Sequence, residues 1–187
     1  GMNYGLLKLY EEGKFYNYDA FLLLTNDTEL SESGPIIDTL MSVLDEHKRV
    51  GLLSPCSQKW GEKLLLEKRS TMYFWYIHNN ANLLRREFIE DIMETENPNY
   101  MNFLYDGTNF RGYGTESEII AKGYINDWAS AITTKVWAEE NESHLIENFE
   151  LIKTESLEEN LKMYISEGEK WMHKKYGFNS RWSMQMY

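Results

Sequence analysis

The chain has 187 residues, a formal net charge of -11, six tryptophans, thirteen tyrosines and a single cysteine, Cys56. That length fits one domain over residues 2–187 with a real core, and Gly1 ahead of Met2 reads as a cloning scar outside functional reasoning. The acidic balance argues against a nucleic-acid surface, one cysteine excludes an intrachain disulfide or thiolate cluster, and no apolar run approaches a membrane span or secretory signal. A reducing cytoplasm is the simplest expectation.

In chain order, residues 4–16 suit a helix weakened by Gly5 and Gly13. Residues 20–25 form an apolar run that suits a strand buried on both faces. The run ends at Thr25-Asn26-Asp27, short polar residues with two readings. One is a turn or helix cap after a core strand. The other places Asp27 beyond the carboxyl end of a strand, where a carboxylate could hold a divalent cation and a diphosphate.

Pro35 then reads as the first position of a helix, with Ile36, Ile37, Leu40, Met41 and Leu44 on its apolar face. Residues 50–55 read as a second buried strand, so strand, helix and strand predict a parallel βαβ unit. Residues 71–78 read as an aromatic strand and 86–93 as a helix. Residues 94–114 lack periodicity, and a loop that long within a domain is usually functional or mobile.

Thr115 and Glu118 have capping-box spacing and open a helix carrying Ile120, Tyr124 and Trp128. Glu116 falls in its first turn, where the helix dipole favours an ionised carboxylate suited to accept a hydroxyl proton. An acidic first turn is also ordinary helix chemistry. Residues 131–137 read as a strand, and His144 beyond it reads as an exposed loop histidine or a site residue. The last helix starts at Ser156, with Glu159 completing a capping box and Leu157, Leu161, Tyr164, Ile165 and Trp171 as its apolar stripe. Lys174, Lys175 and Gly177 are its stop signals.

Taken in this order the segments resemble the family 2 glycosyltransferases of the GT-A fold, particularly polysaccharide rhamnosyl- and galactosyl-type enzymes. Residues 21–29 resemble that family's "LLLNNDTE", and Asn3-Tyr4-Gly5 its N-x-G. Residues 81–86 resemble "A-x-L-I-R-R", residues 110–118 are similar to "F-x-G-Y-G-x-D-x-D", and residues 169–177 resemble the terminal "F-x-x-K-W-G" helix. The resemblance implies a partial GT-A fold, α/β, with a mainly parallel mixed sheet flanked by helices and a C-terminal helix. The chain would begin near the middle of that domain, without its N-terminal nucleobase-binding βα units.

The implied activity is inverting transfer of a sugar from a UDP- or dTDP-sugar to a saccharide or lipid-linked acceptor in cell-surface polysaccharide synthesis. Glu116 matches the catalytic base, Asn26, Asp27 and His144 the donor and diphosphate side, and Asp27 with His144 the Mn²⁺ or Mg²⁺ ligands. Trp75, His78, Asn79 and Glu118 are the acceptor-side candidates. Thr25 stands where the family usually has Asp or Asn. The resemblance further implies a cytoplasmic enzyme, with peripheral association at the inner membrane face and homo-oligomerisation as open alternatives. Two competing readings are a non-catalytic remnant serving as a binding or oligomerisation module, and a sugar hydrolase using Asp27 and Glu116.

Overall fold

The computed structural model describes residues 1–31, 34–78, 80–109, 111–141, 143, 146–147, 156–179 and 183. The elements are α1 (Met2–Glu11), β1 (Ala20–Leu24), β2 (Thr28–Leu30), α2 (Ile36–Glu46), β3 (Val50–Cys56), α3 (Glu62–Leu66) and β4 (Thr71–Tyr73). They continue with β5 (Ala81–Arg85), α4 (Arg86–Ile92), α5 (Thr115–Ile125) and β6 (Ala129–Glu140). A C-terminal helical segment follows as α6 (Leu157–Met163), a π-helical run (Tyr164–Glu169) and α7 (Lys170–Tyr176).

The architecture is α/β, a mixed sheet flanked by helices with a C-terminal helix. The strand order is β1-β5-β3-β6-β2, with β4 on β6. The expected mainly parallel sheet is corrected here, because among the described residues only β3 and β6 pair in parallel. β5 is antiparallel to both β1 and β3, so β1 and β3 run the same way without pairing. The βαβ direction is therefore right, but the antiparallel β5 occupies the place between its strands. Strand β4 is also shorter than expected, covering only the first three residues of the 71–78 run.

Alternation explains why the central strands read as continuous apolar runs. Leu52 and Leu84 enter a large core with Leu6, Phe15, Phe88, Ile120 and Met172. Their neighbours Leu53 and Leu83 enter a second core with Leu40, Val43 and Leu44 of α2. Successive side chains point to opposite faces, and both faces are covered. Every residue of β3 is accordingly buried.

β1 and β2 hold opposite ends of the strand order, yet only residues 25–27 separate them. Four strand spacings of about 4.8 Å make about 19 Å across a flat sheet. Four residue steps reach at most about 14 Å. The sheet must therefore curl to nearly barrel-like form. The 25–27 turn lies on that curl, at the edge where β1, β3 and β6 end and β5 begins.

Other local expectations divide. The Ser156–Glu159 capping box is present in both directions. The Thr115–Glu118 box is not: α5 starts from Gly114 without a side-chain cap, and Thr115 Oγ1 donates instead to Gly112 O at 2.9 Å. Trp128 lies beyond α5 rather than on it. In the C-terminal stripe, Trp171 packs on the core, whereas Leu161 and Ile165 are exposed.

Candidate functional site

The chain turns sharply after β1, and hydroxyls and amides brace the turn. Thr25 N donates to Asn80 O at 3.0 Å. The Thr28 hydroxyl lies 2.8 Å from Asn80 O, 2.6 Å from Asn80 Oδ1 and 2.9 Å from Thr25 Oγ1. From the other side, Asn141 N donates to Asp27 O at 2.8 Å, and Asn141 Nδ2 to Glu29 Oε2 at 3.1 Å. The turn is thus clamped between the start of β5 and the end of β6.

Asn26, Asp27, Thr28, Glu29 and Asn141 line a cavity of about 280 Å³. Among the described residues, the half-buried Asp27 carboxylate has no hydrogen-bond or ion-pair partner. It is available to a ligand in that cavity. The Thr25 hydroxyl, by contrast, is committed to the turn.

No group of three or more His, Cys, Asp or Glu side chains that could hold a metal is present among the described residues. The donor set around Asp27 is one free carboxylate with neighbouring amide and carboxylate oxygens. That fits a hard cation held by one or two carboxylates and by substrate phosphates, the usual arrangement for Mg²⁺. His144 and Asn79 lie outside the described residues.

Glu116 is half-buried in the first turn of α5 and is not among the residues lining the Asp27 cavity. Its charge reaches the buried Tyr105: burial first, then Glu116 and Glu118, push that phenol well above its usual range. Two glycines shape the turn before it. Gly114 has φ +86°, and a Cβ there would sit 3.2 Å from Met172 Cε. At Gly168, in the π-helical run, a Cβ would lie 2.8 Å from Tyr113 Cβ. The C-terminal segment can lie against the 112–115 turn because that side chain is missing.

Glu118 has no exposed surface. Its carboxylate accepts from Asp106 N, Lys175 Nζ and Tyr176 Oη, each at 2.9 Å, with Lys122 Nζ at 3.3 Å. Lys175 Nζ also lies 2.9 Å from Asp106 Oδ2, onto which Trp171 Nε1 donates at 3.2 Å. Burial would raise the Asp106 pKa, but hydrogen bonds from Thr108, Lys175 and Trp171 outweigh it and hold the carboxyl well below the usual carboxylate range. Lys122 is shifted down, chiefly by burial, while Glu118 opposes the shift. This cluster borders a separate cavity of about 330 Å³.

On the segment between β4 and β5, the His78 ring stacks on Trp60 with centroids 3.9 Å apart, and Nε2 lies 3.4 Å from Glu62 Oε1. Trp75 is half-buried with its ring 4.4 Å from that of Phe74. The structure therefore brings Asn26 and Asp27 to one cavity, places Glu116 and Glu118 on α5, and sets Trp75 and His78 on a third segment. Sequence reasoning missed Asn80, Asn141, Asp106 and the internal role of Lys175. Asp106-Gly107 carried a turn signal, but nothing local marks an asparagine that braces a turn 55 positions away.

Comparison with protein-family models, with curated proteins and with solved structures gives no match to this chain. No helix among the described residues is long and apolar enough to cross a membrane.

Proposed function

We propose that the chain is a GT-A-type glycosyltransferase domain that transfers a sugar with inversion from a nucleotide-diphosphate donor to a saccharide acceptor, in cell-surface polysaccharide synthesis in the cytoplasm. The observation that carries the reading is Asp27, a partner-free carboxylate among the described residues, braced at the strand edge beside a cavity. Its support in the sequence is the motif order around Asp27 and Glu116.

Asp27, with Asn26 beside it, would hold Mn²⁺ or Mg²⁺ against the donor diphosphate. Such an ion offsets negative charge on a leaving diphosphate. Glu116 takes the proton of the acceptor hydroxyl as that oxygen bonds to the anomeric carbon. The bond from that carbon to the diphosphate breaks, and its electron pair leaves with the nucleotide. The resemblance puts Trp75 and His78 on the acceptor side, where the His78 ring is already stacked on Trp60. Glu118 holds α5 in place, because its oxygens are occupied within the protein.

One observation favours a second reading, a non-catalytic module of the same fold. The Thr25 hydroxyl is committed to Thr28 and Asn80, so one position of the acidic motif offers no carboxylate. Calorimetric titration of UDP with and without Mn²⁺, beside Asp27→Ala, separates the two. Metal-dependent binding that the substitution abolishes supports the transferase. Its absence favours the module.

A further inference from the structure

The C-terminal segment grips the turn that carries Glu116 at four places. Tyr113 Oη donates to Asn160 Oδ1 at 2.7 Å, and Arg111 Nε lies 3.3 Å from Glu167 Oε2. Gly168 of the π-helical run lies against Tyr113, and Met172 against Gly114. π-Helical turns recur at functional sites because they re-aim a helix face locally. Beyond these contacts, Lys175 Nζ bridges Asp106 at 2.9 Å, before the turn, and Glu118 at 2.9 Å, after it. The ammonium also sits 5.4 Å from the ring centres of both Trp171 and Tyr176. One cation thus joins the two ends of the stretch that presents Glu116.

We propose that Lys175 is a positioning residue for Glu116: by holding Asp106 and Glu118 together it ties the residue before the 112–115 turn to the one after it and sets the first turn of α5. The catalytic part of this inference rests on the transferase reading above, but the mechanical part does not. A methylene stem without the ammonium leaves Asp106 and Glu118 as facing carboxylates, which repel and open the loop.

The test is amide hydrogen exchange on the full chain for Lys175→Met and Lys175→Arg. In Lys175→Met, amides of residues 112–118 exchange about tenfold faster beyond any acceleration shared by the amides of β3, and Lys175→Arg restores the wild-type pattern. Unchanged exchange at 112–118, or equal acceleration in β3, overturns the proposal. Where the wild type transfers sugar, Lys175→Met lowers kcat and leaves the affinity for UDP with Mn²⁺ unchanged. A fall in that affinity equal to the fall in kcat overturns the positioning role. If the wild type transfers nothing while the exchange pattern appears, the transferase reading fails and the mechanical coupling stands.

Discussion

Tyr176 Oη donates a 2.9 Å hydrogen bond to Glu118 Oε1, joining the last residue of α7 to a carboxylate without exposed surface. The carboxylate is balanced by the ammonium groups of Lys175 and Lys122. Removing Glu118 takes away the buried carboxylate that both partly exposed ammonium groups face. Glu118→Gln is expected to destabilise the chain by about 3 kcal/mol. Tyr176→Phe, which deletes one bond to a charged acceptor, is expected to cost about 1.5 kcal/mol. Urea unfolding measures both; a loss below about 0.5 kcal/mol for Glu118→Gln would show that the cluster is not a stability element.

The Asp106 carboxyl sets an acid dependence. In the unfolded chain it takes up a proton near pH 4. In the folded chain its hydrogen bonds from Thr108, Lys175 and Trp171 keep it ionised to lower pH. Its stabilisation is therefore present above the unfolded value and is lost as pH falls through the folded one, since the unfolded state binds more protons in that window. Asp106→Asn is expected to flatten the decline of the urea midpoint below about pH 4 relative to wild type. Parallel pH profiles for the two proteins would rule Asp106 out as the source.

Glu116 is half-buried in a first helical turn, so Glu116→Gln is expected to change stability by less than about 0.5 kcal/mol. With a competent donor and acceptor, turnover should fall at least about 100-fold, the usual worth of a positioned base. Near-normal turnover in Glu116→Gln would remove it as the base. Asp27→Asn should instead weaken metal-dependent donor binding, and an unchanged calorimetric titration would remove the anchor.

The Asp27 turn should depend on Thr28. Its hydroxyl meets both oxygens of Asn80, at 2.8 and 2.6 Å. Thr28→Val keeps the shape and removes these bonds, for an expected loss of about 1 kcal/mol. UDP with Mn²⁺ should also bind more weakly, because the turn presenting Asp27 loses its brace. A stability loss with full nucleotide affinity would separate the brace from the site.

Cys56 is buried, and burial first, then Glu62 nearby, push its thiol up to about 11. The thiolate is the reactive form. A thiol reagent at pH 8 should label the native chain slowly and the urea-unfolded chain at once. Immediate labelling of native protein would show that β3 opens readily.

The sequence by itself determined the elements with strong local signals. The buried run of β3 and the Leu40–Leu44 face of α2 follow from side-chain patterning within a few residues, whereas β1, expected to be buried on both faces, is only partly buried, and its Leu24 and Ile37 of α2 are exposed. The Ser156 capping box is equally local and is present as read. Periodicity cannot choose neighbours, because a strand buried on both faces looks the same whether its partner is parallel or antiparallel. Only the tertiary structure placed β5 between β1 and β3 and curled the sheet so that a three-residue turn joins its ends. The same limit applies to the charges. Lys175 reads as a helix-end cation and Glu118 as a cap, since sequence shows only their near neighbours. Their pairing across 57 positions with Asp106 exists because the C-terminal helix folds back onto α5, and long-range packing decides that contact.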